Sequence, residues 1–464
     1  MSSNRLTYGT VRPAVAQTNP TTVAPYLFWL MFRNVASDGL VYDDPVNAGI
    51  VSAPGCVLAS PSWENTATHI TQDYVYHWTR DAAIVALELS AAYTSGVLPD
   101  NQPLIDYVTF SATCVSDTIA FPSDTPRGVR GVVPPGDNSQ ASAGDFDRAS
   151  FYIDGTQRPW TDQTDGPALQ TVALLTMFGQ LDAATQAIAS ALIDANLNFL
   201  SGAYQGQTFN LWEEEYGYSF FARSAQLRCF QAIAANTVGI AVPSWLPTAL
   251  TWLTGALDGH WNGQYYQSIL PVPTDYRAPY DPNIDIAQAA IYGAESVTDP
   301  RLLATAAQLR AQWADPSSKY AYPINVADAA RGLGPKLGRY PGDVYDGDTD
   351  DLVGDHPWAL TTANFAELYY RLASKITSSR TVPADSLAAP FLAQVGLTAA
   401  SAPLDAATAL RSAGDAMLGA IVYHSDHLEL SEQFDASTGF EKSVANLSWS
   451  YAAFLSAVRA RAAS

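Results

Sequence analysis

Seven stretches of the chain repeat apolar residues at spacings of three and four, which places those side chains on one face of a helix. The stretches are rich in alanine and leucine, and several begin with Asp, Pro or Thr, as helices commonly do. We therefore predict helices over residues 81–93, 167–181, 183–200, 222–238, 300–313, 363–376 and 405–424. Alternating apolar and polar residues, the pattern of half-buried strands, are rare, so the fold should be all-α.

Long segments rich in Pro, Gly, Asp and aromatic residues separate these helices. Three of them cover residues 125–145, 270–285 and 338–358. Segments of this length in a compact domain are usually functional or disordered, and their aromatic content argues against disorder. No Ser/Thr/Pro-rich linker divides the chain. We therefore predict a single domain over residues 1–464, with functional loops gathered at one end of the helices.

The composition restricts the class of partner. The 464 residues include 45 acidic and 24 basic ones, giving a net charge of −21. A surface of this sign repels phosphate, so we expect neither nucleic acid nor a membrane as a partner. Eleven Trp and 24 Tyr fit either an ordinary core or flat faces for stacking on neutral ligands such as sugars. We expect a neutral or cationic substrate and a monomeric protein.

Cysteine and histidine positions predict no metal or other cofactor. Cys56, Cys114 and Cys229 allow at most one disulfide, and no Cys/His cluster has zinc-ligand spacing. The first 20 residues lack the apolar core of a secretion signal. This leaves a cytoplasmic protein or a mature extracellular one whose leader has been removed, and we favour the extracellular form.

Two acidic clusters stand beside aromatic residues, over 200 residues apart. Residues 213–215 follow Trp212, and residues 429–435 precede an aromatic segment. Either cluster alone is more often a solvated patch, but together they suit a cleft closed by different loops. A pair of carboxyls across a cleft fits glycoside hydrolysis, in which one protonates the leaving oxygen and the other activates water or attacks directly. The protonated carboxyl should have the drier surroundings, which beside Trp212 favours Glu213.

Two further motifs mix charged and aromatic residues. Arg80 and Asp81 open a predicted helix shortly after Tyr74 and Trp78. They are either a helix cap with a surface arginine or a fork of donors and acceptors for sugar hydroxyls. The motif GRYPGDVYDG, residues 338–347, is either an ordinary turn or a further part of such a site.

Six aspartates lie close together in residues 343–355. Alternating Asp can ligate calcium, but the segment lacks the regular spacing and terminal glutamate of an EF-hand. We therefore predict a solvated acidic loop without metal. A metal-dependent terpene cyclase would need these aspartates as ligands, and the other motifs argue against that class.

Five motifs together resemble those of the glucoamylases, glycoside hydrolase family 15. They are YVYHWTRD, RPWTDQTDGPALQT, LWEEEYGYSFF, GRYPGDVYDG and SEQFDASTGFEKSVANLSWSYAA, in the family's order and at similar separations. The resemblance extends from about residue 20 to 460. It implies an (α/α)6 barrel with a pocket at one end. It also implies an inverting exo-hydrolase that releases β-glucose from non-reducing ends of α-1,4-glucans such as starch and maltooligosaccharides.

By motif, the resemblance implies that Glu213 is the general acid and Glu432 the general base for the attacking water. Tyr74 would lie near the developing oxocarbenium charge. The residues implied to bind substrate are Tyr74, Trp78, Arg80, Asp81, Leu211 (by its carbonyl), Trp212, Glu214, Arg339, Trp358, Gln433 and Trp449.

Some positions depart from the family's pattern. Thr156 stands where the family commonly has a Trp that covers the catalytic site, and Trp160 follows nearby as an uncertain substitute. Asn210 stands where fungal members often have Asp. We also expect no starch-binding module, so raw granules should be poor substrates. Two other functions stay open: a related hydrolase of trehalose, isomaltose or dextran ends, and a non-catalytic carbohydrate-binding barrel.

Overall fold

A computed structural model describes residues 20–37, 39–65, 67, 70, 72–116, 149–158, 162–274, 279–349 and 354–464. Its helices are α1 (Pro20–Phe32), α2 (Thr79–Thr94), α3 (Gln102–Cys114), α4 (Asp165–Met177), α5 (Ala183–Ala203), α6 (Phe220–Ala234), α7 (Leu246–Asp258), α8 (Asp285–Tyr292), α9 (Pro300–Ala314), α10 (Pro323–Ala329), α11 (Ala359–Ser379), α12 (Ala389–Ala393), α13 (Pro403–His424) and α14 (Ser448–Ala462). All seven predicted helices form. The predicted loop 125–145 lies outside the described residues.

Six helices close an inner ring. Going round it, α2 packs on α4, α4 on α6, α6 on α8, α8 on α11, α11 on α14, and α14 again on α2. An outer helix packs on each member: α3 on α2, α5 on α4, α7 on α6, α9 on α8, α13 on α11 and α1 on α14. This arrangement is the predicted (α/α)6 barrel.

Burial separates the inner helices from the outer ones. The inner helix α4 buries every residue from Asp165 to Leu174, because neighbours surround it. The outer helix α5 buries a stripe with the spacing of one helical face and leaves its opposite face partly open. None of the described helices combines the length and the apolar character needed to cross a membrane.

Seven short strands lie in the loops that connect the helices. They are β1 (His77–Trp78), β2 (Ser150–Phe151), β3 (Thr208–Phe209), β4 (Tyr216–Ser219), β5 (Ile269–Leu270), β6 (Gln433–Phe434) and β7 (Glu441–Lys442), counted over the described residues. Strands β1 and β2, β3 with β4 and β5, and β6 with β7 pair antiparallel. Strand β1 leads directly into α2, β4 into α6, and an isolated bridge at Trp358 into α11. These pairings therefore tie the loops together at the N-terminal end of the inner ring.

The three cysteines and His77 are buried in the core. Cys56, Cys114 and Cys229 are all buried free thiols. His77 is 2% exposed, accepts a hydrogen bond from the Val57 amide and packs on Phe110. Among the described residues, no group of His, Cys, Asp and Glu is arranged to hold a metal ion.

Candidate active site

A cavity of about 180 Å³ lies at the N-terminal end of the inner ring. The structure brings together on its wall both predicted catalytic glutamates and all but one of the described substrate-binding candidates. The lining residues are Tyr74, Trp78, Arg80, Asp81, Leu211, Trp212, Glu213, Glu214, Arg339, Tyr345, Trp358, Leu360, Glu432, Leu447 and Trp449.

A tight turn between β3 and β4 positions Glu213. Asn210 closes this turn, because its amide donates to the Glu215 carbonyl and its carbonyl accepts from the Glu213 amide, at 2.8 and 3.1 Å. The Asn210 side chain also accepts from the amide of Glu214 at 3.0 Å. Glu213 has φ 63°, a left-handed conformation that costs free energy in a non-glycine residue. The hydrogen bonds of Asn210 offset that cost, so this residue shapes the site without lining it.

The Glu213 carboxylate faces donors from two other parts of the chain. Its Oε1 accepts from Trp78 Nε1 at 2.9 Å and from Arg80 Nη2 at 3.3 Å. Arg80 Nη1 also donates to Asp165 and to the Gln163 side chain, both at 3.1 Å. Since Gln163 donates in turn to the Asn210 carbonyl, the arginine is connected to the turn that carries Glu213.

Asp81 lies beside Arg80, with its Oδ2 3.4 Å from Arg80 Nε. Burial raises the pKa of Asp81 to about 7, although the Arg80 charge opposes the shift. Within the described part of the chain, this Oδ2 has no hydrogen-bond partner. A buried polar atom without a partner costs free energy, so Asp81 is well placed to receive a sugar hydroxyl.

Glu432 is surrounded by hydroxyl groups. Ser443 Oγ and Tyr345 Oη donate to its Oε2 at 2.5 and 3.0 Å, and Tyr74 Oη donates to its Oε1 at 2.8 Å. Burial raises the pKa of Glu432, and the three hydroxyl donors oppose that shift. Donors of this kind favour the ionised carboxylate, the form that a general base requires.

The structure reverses the predicted difference in solvent exposure between the two glutamates. Glu432 is 1% exposed, whereas the Glu213 side chain is 16% exposed. Trp212 turns away from its sequence neighbour: its Nε1 donates to Asn283, and its ring packs on Trp358. The argument that Glu213 is the acid because it is the drier carboxyl is therefore wrong, and any assignment has to rest on the hydrogen-bond partners and on access to the cavity.

Arg339 forms the second cationic centre of the cavity. It makes a bidentate pair with Asp343, at 2.6 and 2.7 Å, and donates to Glu214 at 2.7 Å. Burial raises the pKa of Glu214 to about 7, against the effect of Arg339. Ring centroids lie 4.9–5.3 Å from the guanidinium carbon in Trp212, Tyr340, Tyr345 and Trp358. This packing holds a flat polar and aromatic surface beside the glutamates.

Gln433 is the described candidate that does not line the cavity. It is fully buried behind Glu432, where it donates to the Tyr345 carbonyl and accepts from the Gly347 amide. Trp160 lies outside the described residues. Thr156 is buried, and its hydroxyl donates to Asp154 rather than facing the cavity.

The aspartates of residues 343–355 are not a solvated loop, as predicted, where the structure describes them. Asp343 and Asp346 are 1% and 5% exposed. Asp346 pairs with Lys442, Asp348 accepts from the Ser443 amide, and Asp355 accepts from Tyr322. They connect the loop to neighbouring elements because each carboxylate finds a donor there. Asp350 and Asp351 lie outside the described residues.

Sequence reasoning missed several contributors. Tyr345 stands in the motif that contains Arg339, so the motif carried a signal for it. Gln163 and Ser443 also stand in quoted motifs but were not singled out there. Asn283 gives no local signal, because it acts through Trp212, 71 residues away in sequence.

The chain is similar to known glycoside hydrolases over most of its length. The family model described as "Glycosyl hydrolases family 15" matches residues 30–459. A glucoamylase of Blastobotrys adeninivorans is 26% identical over 88% of this chain and 68% of its own length. Glucoamylase P of Amorphotheca resinae is 29% identical over 88% of this chain and 65% of its own length. The chain thus spans about two thirds of these relatives.

Solved structures give the same result for the fold. The glucoamylase of Hormoconis resinae superposes with a TM-score of 0.72 at 26% identity, over 96% of this chain and 73% of that one. The glucoamylase of Saccharomycopsis fibuligera superposes with a TM-score of 0.72 at 23% identity, over 96% of both chains.

Proposed function

The chain belongs to glycosyl hydrolases family 15, and on that premise we propose that it is an exo-acting glucan 1,4-α-glucosidase that releases β-glucose with inversion. Its substrate is a carbohydrate. Starch fragments and maltooligosaccharides are the proposed members of that class, since the relatives described above are glucoamylases.

One observation supports this proposal most directly: two carboxyls with different surroundings share a single cavity. Glu432 is enclosed by three hydroxyl donors, which favour its ionised form. Glu213 is the more exposed of the two and sits at the cavity wall between Trp78 and Arg80. Glu432, held by hydroxyl donors, suits the base of glycoside hydrolysis, and Glu213, the more accessible carboxyl, suits the acid.

The reaction then proceeds in one displacement. The Glu213 carboxyl donates its proton to the glycosidic oxygen as the bond to C1 breaks. Glu432 takes a proton from a water molecule as that water attacks C1 from the opposite face of the ring. Attack from the opposite face inverts the anomeric centre, so an α-linkage yields a β-sugar. Proton exchange with solvent restores both groups.

The size of the cavity supports action at a chain end. Ligand pockets commonly measure about 300–1,000 Å³, and this one, at about 180 Å³, suits one terminal sugar. Arg80, Asp81 and Arg339 offer donors and acceptors on its wall for hydroxyl groups. A terminal residue held in this way places the next glycosidic oxygen near Glu213.

A panel of glucosides tests the proposal. We expect glucose from maltose and maltoheptaose at a higher kcat/KM than from isomaltose, and none from trehalose. Trehalose or isomaltose as the best substrate would replace the α-1,4 assignment with another linkage. Absence of hydrolysis with measurable maltose binding would indicate a carbohydrate-binding barrel. We also expect a monomer, which light scattering during size exclusion would check.

A further inference from the structure

A second cavity, here called the basal cavity, lies at the opposite end of the inner ring. It measures about 500 Å³ and receives side chains from all six inner helices. Thr94 and Tyr292, which line it, are the last residues of α2 and α8. By contrast, Arg80 and Trp449, which line the candidate active site, are the second residues of α2 and α14. The two cavities therefore occupy the C-terminal and N-terminal ends of the same helices.

Guanidinium groups dominate the wall of the basal cavity. Arg228, Arg371 and Arg459 line it, and Glu88 is the acidic residue that lines it among the described residues. Glu367 is 1% exposed and lies next to Arg371. Three guanidiniums against two carboxyls leave an excess of positive charge, in a chain whose net charge is −21.

The three arginines are not equally partnered. Arg459 pairs with Glu88, and Arg371 Nε donates to Glu367 at 2.8 Å. Arg228 Nη1 donates to the Ile291 carbonyl at 2.9 Å, and within the described part of the chain Arg228 forms no ion pair. Burial lowers the pKa of Arg228 to about 10, and the neighbouring charge of Arg371 adds to that shift. The charge of Glu367 opposes the shift, but Glu367 is already paired with Arg371, so a further counter-ion would stabilise Arg228.

Carbonyls at the ends of the inner helices offset part of this positive charge. Helix C-termini carry partial negative charge on their last carbonyls. Arg228 and Arg371 donate to the Ile291 and Ala290 carbonyls at the end of α8. These contacts lie only at the end of α8. The cavity is larger than the candidate active site and has Arg459 on its wall as well. Partial charges on carbonyls do not neutralise a full guanidinium charge.

We propose that the basal cavity binds a small oxyanion, a carboxylate or a phosphate group, through Arg228 with Arg371 and Arg459. The planar guanidinium fork matches the two oxygens that either group presents, which favours arginine over lysine for this task. Thr94 and Gln180 add polar groups on the same wall. The site is separate from the sugar-binding cavity and does not depend on the proposed hydrolase activity.

Thermal unfolding in the presence of anions tests this site. The melting temperature is measured at pH 7 against increasing sodium phosphate and, separately, sodium acetate, with NaCl holding the ionic strength constant. Binding to the folded state raises Tm steeply near the dissociation constant and only with the logarithm of the anion concentration above it. We expect such a rise with at least one of the two anions, and the anion that acts at the lower concentration identifies the preferred group. Phosphate also stabilises proteins by exclusion from their surface. That effect grows in proportion to concentration, so a Tm curve that flattens with concentration distinguishes binding from exclusion.

Variants locate the effect. Arg228→Gln and Arg459→Gln should each lose more than half of this curved, binding-dependent rise in Tm. Arg461→Gln is the matched control, because Arg461 lies two residues from Arg459 on the same helix but pairs with Asp415. It should keep the full rise, as should Glu213→Gln, whose change is confined to the other cavity.

Two results would overturn the proposal. One is a wild-type response that is the same for phosphate, acetate and chloride. The other is a curved rise in Tm that survives in Arg459→Gln. This second result is sufficient by itself if Arg228→Gln does not fold.

Discussion

The two cavities at the ends of the inner helices differ in the charges that surround them. Over the described residues, four carboxyls and two guanidiniums line the candidate active site, whereas one carboxyl and three guanidiniums line the basal cavity. Helix N-termini carry partial positive charge and C-termini partial negative charge. Each set of side chains therefore complements the helix ends around it, and the same six helices supply two opposite electrostatic environments.

The cavities also differ in how the chain builds them. Loops supply the turn that carries Glu213 and the segments that carry Arg339 and Glu432, so short strands and buried hydrogen bonds hold the active end together. Helix residues supply nearly all of the basal end. One hydrogen bond joins the walls of the two cavities: the Tyr292 hydroxyl at the base accepts from Trp449 Nε1 at the active end, at 3.1 Å. The proposed chemistry thus lies at the loop-built end, and helices build the basal end.

The largest expected effect comes from replacing the proposed proton donor at the active end. Glu213→Gln should lower kcat about 10²- to 10⁴-fold, the usual contribution of general acid catalysis, because an amide cannot donate the proton. Glucose release from maltoheptaose measures the loss, and maltose binding should persist. Glu215→Gln is the matched control: it is the same change two residues away, outside the cavity wall. Equal turnover in the two variants would contradict the assignment of Glu213.

A smaller effect separates a buried arginine of the active end from a surface one. Arg80→Ala should lower kcat/KM. The loss of transition-state stabilisation should be roughly 2–5 kcal/mol, the range for truncating a buried charged partner. It leaves Asp165 and Asp81 without their cation, so Tm should fall as well. Arg461→Gln on the outer surface should change kcat/KM little. Unaltered kcat/KM in Arg80→Ala would place that residue outside the substrate site.

The pH profile sharpens the description of the base. Ser443→Ala removes the hydroxyl that most favours ionised Glu432, so the pKa of Glu432 should rise further. A base must be ionised, so on acidification the activity of Ser443→Ala should begin to fall at a higher pH than that of wild type. A shift of about one pH unit corresponds to about 1.4 kcal/mol. The control is Ser437→Ala, an exposed change nearby. An acidic limb that stays in place in Ser443→Ala would show that Glu432 does not set it.

The smallest effect concerns stability. Burial raises the pKa of Asp281 to about 7, far above its ordinary value. The folded protein therefore holds this proton more tightly than the unfolded chain does, and its contribution to stability is lost as pH rises through about 7. We expect Tm to be lower at pH 8 than at pH 5, and Asp281→Asn to reduce that difference. A difference as large in Asp281→Asn as in wild type would contradict this origin.

Local apolar spacing predicted seven helices and an all-α fold, whereas the (α/α)6 barrel was implied by the resemblance of the motifs to the glucoamylase family. Of the described helices that escaped prediction, α8, α10 and α12 are short, with eight, seven and five residues, and α14 mixes serines and aromatics on all sides. Helices α1, α3 and α7 escaped as well, although each has 13 residues. Closure of the ring comes from contacts between distant helices, which no local pattern encodes.

The candidate site was predictable where its residues stand in contiguous motifs, as Arg80 with Asp81 and Glu213 with Glu214 do. Its partners were not. Ser443 reaches Glu432 from beyond a hairpin, and the dryness of the two glutamates depends on where Trp212 turns. The basal arginines come one from each of three helices, so they form no motif at all. Long-range packing decides such neighbours, and the sequence alone does not show it.

Proton NMR of fresh protein with maltoheptaose, followed from the first minute, tests the central claim that Glu213 and Glu432 hydrolyse a chain end by single displacement. The account predicts that the β-anomeric signal of free glucose appears first and that α-glucose grows only as mutarotation proceeds. Maltohexaose should accompany the first glucose, because one unit leaves at a time. Release of α-glucose first, or of longer fragments without glucose, would contradict the account.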